Sequence, residues 1–240
     1  GVGAVQDLQP GLGQRLALLQ RHAGSHVVDT LAQQLRRAAH DLVALEGRHA
    51  APGGKAALGR GQRVVQVLAF GIGHLADHGA GKSYLGFILY DLFFKEKATG
   101  HIYGIESRKE LVEKSRELAK RLGFERMSFL DVTVEESTHS SALPEQIDVV
   151  TALHACNTAT DDVIRFALTK QAKHIVLVPC CQAEVAASMR ARKNESLGKT
   201  PLSELWRHPI HTREFGSHLT NVLRCLLLEA HGYEITVTEL

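Results

Sequence analysis

The chain has 240 residues, 28 Lys and Arg against 26 Asp and Glu, a formal net charge of +2 and an apolar content of 44%. That length allows one good-sized α/β domain or two small ones, and the near balance of charge gives no general pull toward nucleic acid or membrane. No apolar run approaches a membrane span, and four cysteines, two of them adjacent, make no disulfide framework, which points to a reducing cytosol or nucleus. The first residue is Gly1 and no secretory h-region follows, so the chain reads as a fragment or a processed form.

Composition changes near residue 75. Of 21 glycines, 12 precede it, yet that segment has one lysine, one phenylalanine, one isoleucine and no Tyr or Trp. Its eight basic residues against four acidic ones leave the remainder at 20 against 22, or −2. Val28, Leu31, Leu35, Ala38, Leu42 and Leu45 recur at helical steps, with Ser25 as a candidate cap, and "GRHAAPGGKAALGRGQ" reads as a linker. A segment so poor in aromatic and β-branched residues has little to bury. Residues 1–65 are therefore expected to be an atypical leader, partly helical or disordered, and residues 66–240 the main domain.

From residue 76 on, strand and helix patterns alternate. "YLGFILYDLFFK" is apolar nearly all round and predicts a buried helix, and "HIYGIE" predicts a strand. "SRKELVEKSRELAKRLG" predicts an amphipathic helix with a Ser107/Glu110 capping box, a face of Leu111, Ser115, Leu118 and Leu122, and a stop at Gly123. "RMSFLD", "IDVVTAL" and "HIVLVP" read as strands, and "TDDVIRFALTKQ" as a helix with two acids at its positive end. "REFGSHLTNVLRCLLLEAHG" reads as a helix and "YEITVTE" as a last, alternating strand. Repeated β-α units predict a Rossmann-like, mostly parallel sheet with helices on both faces and ligands beyond the C-terminal strand ends.

The stretch "ADHGAGKSYLGFILYDL" fits two ligands. As A-x-x-x-x-G-K-S it is a relaxed phosphate loop, which needs Lys82 on phosphates, Ser83 on Mg²⁺ and a later strand ending in an acid, a place Asp131 can fill. As D-x-G-A-G, from Asp77 to Gly81, it is a glycine turn for S-adenosylmethionine, in which Gly79 and Gly81 allow close approach of backbone to ligand. The second reading accounts for more positions. Glu106 ends the second strand about 25 residues later, where an acid accepts from both ribose hydroxyls, and Asp131 after the third strand is placed for the adenine amino group. A nicotinamide cofactor fits less well, because Tyr84 stands where a helix-packing glycine is needed.

Together, "DHGAGKSYLGFILYDL", "GIES", "ALHACNTATDDVI" and "VPCCQ" resemble one branch of the class I S-adenosylmethionine-dependent methyltransferases, the methyltransferase-like protein 25 group and the related domain of the glutathione S-transferase C-terminal-domain-containing protein. The H-x-C-x-x-A-T-D string and the later Cys-Cys are also similar to the acceptor-stem tRNA 2′-O-methyltransferases. The resemblance covers roughly residues 76–240. It implies an S-adenosylmethionine cofactor, with Asp77, Gly79 and Gly81 lining the methionine moiety, Glu106 on ribose and Asp131 by adenine. His78 and Asn157 depart from the family pattern, and the family's final antiparallel strand is expected to be missing after "ITVTEL".

His154 and Cys156 follow the fourth strand, and Cys180 and Cys181 follow the fifth. One His and three Cys are zinc ligands by type, but the paired-cysteine spacing of zinc sites is absent, and no metal is expected. A thiolate nucleophile needs a lowered pKa, for which nothing in the sequence argues. The preferred reading has His154, Asn157 and Asp161 shaping a substrate pocket with Cys156, Cys180 and Cys181 packed around it. His154 and Asp161 are the candidates for proton removal. The basic run "RARKNESLGK" can contact phosphates, so RNA is the expected acceptor, with no membrane partner. A P-loop hydrolase, or a cofactor- or RNA-binding module without turnover, is the alternative.

Overall fold

The computed structural model describes residues 72–95, 99–153, 155–179, 184–191 and 203–237. The predicted leader at residues 1–65 lies outside them. The strands β1 (His74–His78), β2 (His101–Glu106), β3 (Met127–Asp131), β4 (Val149–Ala152) and β5 (His174–Leu177) lie in the order β3-β2-β1-β4-β5, and the pairs β1/β2, β2/β3 and β4/β5 run parallel. This is the Rossmann-like sheet that the alternating pattern predicts. The chain divides into two compact units between Asp131 and Val132.

Among the described residues, β1 (His74–His78) comes first, and its last four residues are all buried. "GIGHLADHG" has few apolar residues, yet it makes a central strand by burying Asp77 and His78 beside Leu75 and Ala76. A tight loop leads into α1 (Tyr84–Leu89), which continues as a π turn over Tyr90–Phe94. Nearly every residue of this run is buried, with Phe87, Leu89 and Phe94 fully so. β2 (His101–Glu106) and β3 (Met127–Asp131) pair in register, with Glu106 opposite Asp131. Arg126, just before β3, donates to the carbonyls of Phe94, Thr99 and Gly100 and lies 5.6 Å from the Tyr90 ring centroid, which fixes the turn after the π segment.

Between β2 and β3 runs α2 (Lys109–Leu122), closed by Gly123 in the left-handed conformation (φ 69°) as expected. Its buried face is Val112, Ser115 and Ala119, while Leu111, Leu118 and Leu122 are only half-buried at its flank. The Ser107/Glu110 capping box is not formed. The cap position is Arg108, with no side-chain cap bond.

The second unit contains α3 (Val134–Thr138), β4 (Val149–Ala152), α4 (Thr158–Thr169), β5 (His174–Leu177), α5 (Glu184–Ala191), α6 (Glu204–Arg207) and α7 (Pro209–Ala230). A capping box does occur here, between Thr133 and Glu136. Val149, Val150, Ile164 and Phe166 make the core of this unit. α7 crosses α5 with Gly216 against Ala186, where an added Cβ would lie 2.7 Å from the alanine Cβ. After α7, Tyr233 donates to the Ala172 carbonyl at 2.6 Å. The expected strand "YEITVTE" is not formed over residues 233–237, whose backbone has no regular structure. Among the described residues, no helix is long and apolar enough to cross a membrane.

Candidate functional site

The C-terminal ends of β1, β2 and β3 bring together Asp77, the loop from Gly79 to Ser83, Glu106 and Asp131. All belong to the first unit, so a single folded piece positions them. Three residues of the loop have positive φ: Gly79 (61°), Gly81 (56°) and Ser83 (53°). Two main-chain donors tie the loop to β2. The Ala80 amide donates to the Ile105 carbonyl at 3.1 Å, and the Gly81 amide donates to Glu106 Oε2 at 2.8 Å.

Gly81 is required for its conformation rather than for space, since an added Cβ would meet nothing nearer than Arg108 Nη2 at 3.9 Å. Gly104 is the glycine that makes space. A Cβ there would lie 2.7 Å from Phe129 and 3.0 Å from Ser83 Oγ. Its place inside "HIYGIE" gave only the hint that a strand glycine marks a close approach.

Glu106 is the best-supported acid of the site. It is buried, and its carboxylate accepts from the amides of Gly81 and Arg108 and from the Arg108 guanidinium. Burial alone would raise its pKa, but the hydrogen bonds from Arg108 and the two amides outweigh it and hold the carboxyl below its ordinary range. Asp131 stands beside it in register and is exposed. A buried, ionised acid and an exposed one on adjacent strand ends, next to a glycine loop, fit the ribose and adenine of S-adenosylmethionine. Arg108 was not legible in the sequence, because a partner two residues along depends on side-chain direction at the strand end.

The phosphate-loop alternative fits less well. Ser83 is buried, and its hydroxyl lies against Gly104 of β2. The Lys82 ammonium lies 5.9 Å from the Tyr84 ring centroid.

In the second unit, Cys156, Asn157 and Asp161 lie together at the start of α4. Cys156 is exposed. Asn157 has φ 54° and ψ −131°, a strained backbone for a residue with a side chain. Asp161 does not stand ready as a base: Arg224 of α7 grips it through Nε at 2.7 Å and Nη2 at 3.0 Å, and also donates to the Asn157 carbonyl at 2.9 Å. Arg224 was not legible in the sequence, since 63 residues separate it from Asp161. His154, Cys180 and Cys181 lie outside the described residues.

A family model described as a methyltransferase domain matches residues 67–188, just over half of the chain. No curated protein matches. Among solved structures, the YcgJ protein of Bacillus subtilis is 19% identical, with a TM-score of 0.34, over 46% of this chain and 44% of that one. A SAM-dependent methyltransferase of Aquifex aeolicus is 20% identical, with a TM-score of 0.34, over 47% and 57%. Fibrillarin of Aeropyrum pernix, in complex with natively bound S-adenosyl-L-methionine, is 14% identical, with a TM-score of 0.30, over 35% and 34%. The chain thus spans about half the length of the first two structures it matches. On the family match, the chain belongs to the methyltransferase-domain family, a family of enzymes.

Proposed function

We propose that the chain carries out S-adenosylmethionine-dependent methyl transfer to RNA, as a domain of the methyltransferase-like protein 25 type. The observation that carries the donor half is the buried Glu106 carboxylate clasped to the glycine loop through Gly81. The donor, when bound, supplies an activated methyl group. Glu106 accepts from the ribose hydroxyls, Asp131 from the adenine amino group, and the backbone of Gly79 to Gly81 lies against the methionine part beside Asp77. The chain acts chiefly by holding donor and acceptor in line.

The acceptor half rests on the sequence. Arg190, Arg192, Lys193 and Lys199 can contact phosphates, and "HACNTATD" and "VPCCQ" are similar to the acceptor-stem tRNA 2′-O-methyltransferases. Asp161, held by Arg224, serves to position the pocket, which leaves His154 as the group for proton removal. Cys156, Asn157, Cys180 and Cys181 complete the pocket.

The test is transfer of a labelled methyl group from S-adenosylmethionine to an unmodified tRNA transcript by the full chain. Incorporation that Glu106→Ala abolishes supports the proposal. Binding of S-adenosylhomocysteine with no incorporation into any RNA removes the acceptor half and leaves the donor half standing.

A further inference from the structure

An ionised carboxylate offers about four lone-pair positions. On Glu106 four donors reach them: the Gly81 amide at 2.8 Å and Arg108 Nη2 at 3.3 Å on Oε2, and the Arg108 amide at 3.1 Å and Arg108 Nε at 3.0 Å on Oε1. No position is left for a ligand hydroxyl. The two amides are fixed by the fold, one in the glycine loop and one at the cap of α2. The other two donors belong to a single guanidinium and deliver one N–H to each oxygen. A ribose cis-diol presents the same pattern, one O–H for each carboxylate oxygen. The two side chains also differ in freedom: Arg108 is 61% exposed and Glu106 is 7% exposed. The arginine has room to leave, and the carboxylate does not.

We infer that the Arg108 guanidinium is an internal stand-in for the ribose diol, engaging Glu106 in the free protein and displaced when a vicinal diol binds. The inference rests on the reading of Glu106 as the ribose acceptor. While engaged, the guanidinium keeps Glu106 ionised and aimed along the loop. It also makes the net affinity for a diol a difference between two similar sets of bonds. Salt screens an exposed ion pair more than the hydrogen bonds of an uncharged nucleoside. Added salt therefore weakens the stand-in and favours the ligand. A ligand that lacks one hydroxyl replaces only half of what it displaces.

The experiment is calorimetric titration of the full chain with adenosine, 2′-deoxyadenosine and S-adenosylhomocysteine at low and high salt, in the parent, Arg108→Met, Arg108→Lys and Glu106→Gln. Arg108→Met is expected to bind adenosine about 2–5-fold more tightly, the scale of an exposed ion pair. Arg108→Lys, which keeps the charge but not the fork, should fall between. Adenosine affinity of the parent should rise with salt and that of Arg108→Met should not, and 2′-deoxyadenosine should gain less from the substitution. Equal or weaker adenosine binding by Arg108→Met, or a parent affinity that does not rise with salt, overturns the inference. The parent's salt response needs no variant to fold. If Glu106→Gln binds S-adenosylhomocysteine as well as the parent does, the ribose reading itself has failed. If Glu106→Gln weakens binding while Arg108→Met does not tighten it, only the stand-in has failed.

Discussion

The amide of Gly81 donates to Glu106 Oε2 across 2.8 Å, so the glycine loop and the end of β2 are held as one piece. Loss of the carboxylate removes both this anchor and the proposed ribose acceptor. Glu106→Ala should weaken S-adenosylhomocysteine binding by roughly 1.5–3 kcal/mol, the scale of hydrogen bonds to a charged group. Titration calorimetry measures it, and unchanged affinity would remove Glu106 from the site.

The same carboxylate has an acid signature. Its pKa is depressed in the folded chain, so its contribution to stability is present above the ordinary carboxyl value and lost as pH falls through the folded value. Glu106→Gln should flatten the decline of the unfolding midpoint on the acid side of about pH 4.5, the reference value for glutamate. Parallel acid-side slopes in parent and variant would contradict the depressed pKa.

His78 gives a second pH dependence in a higher window. It is fully buried in β1, and burial lowers its pKa from 6.5 to about 3. Below 6.5 the unfolded chain binds a proton that the folded chain refuses, so stability is full above that value and falls as pH drops toward 3. From near pH 7 to near pH 5 the loss from this one residue is about 2 kcal/mol. His101 and His174, both lowered chiefly by burial, act in the same direction. The check is therefore the difference in slope between the parent and His78→Leu in denaturant unfolding; equal slopes would mean that His78 charges without penalty.

The repeated β-α pattern and the glycine turn were legible in the sequence because both are local: period, caps and a run of D-x-G-A-G. The acid at the end of β2 was legible from its distance along the chain. What escaped depends on side-chain direction or on distant partners. Arg108 reaches back two residues along a strand end, and Arg224 meets Asp161 from another helix. The buried face of α2, Val112, Ser115 and Ala119, lies one position from the run of leucines that marks its amphipathic pattern. "YEITVTE" alternates like a strand, but alternation alone does not supply a pairing partner, and its tyrosine is taken by the Ala172 carbonyl.

Two glycines of the site, Gly81 and Gly104, should respond differently to alanine. Gly81→Ala meets only ordinary contacts, Arg108 Nη2 at 3.9 Å and the Gly79 carbonyl at 4.0 Å, and carries the left-handed backbone penalty, about 1–2 kcal/mol. Gly104→Ala drives a methyl to 2.7 Å from Phe129 and should cost about 1–3 kcal/mol by overpacking, while moving Ser83 beneath the loop. Urea unfolding of each variant, with S-adenosylhomocysteine affinity measured alongside, separates them. A Gly104→Ala variant as stable as the parent would show that the sheet yields freely there.

Arg224 holds the start of α4 in place. The strained Asn157 backbone and the Asp161 carboxylate both depend on its guanidinium. Arg224→Met should cost about 1–3 kcal/mol, and Asp161→Asn less, because Asp161 is 45% exposed and water replaces part of what it loses. A double-variant cycle measures the coupling. Additive losses would show that the two side chains act independently and would return Asp161 to the candidates for proton removal.

The loop from Gly79 to Ser83 is proposed to hold S-adenosylmethionine rather than a nucleoside triphosphate. Titrating the full chain and its Lys82→Ala variant with S-adenosylhomocysteine and with ATP–Mg²⁺ tests it most directly. The expected result is saturable binding of S-adenosylhomocysteine by both proteins, with Lys82→Ala changing it by less than about 0.5 kcal/mol, as for a surface substitution, and no binding of ATP–Mg²⁺ by either. Binding of ATP–Mg²⁺ by the parent that Lys82→Ala abolishes, with no binding of S-adenosylhomocysteine, would contradict it.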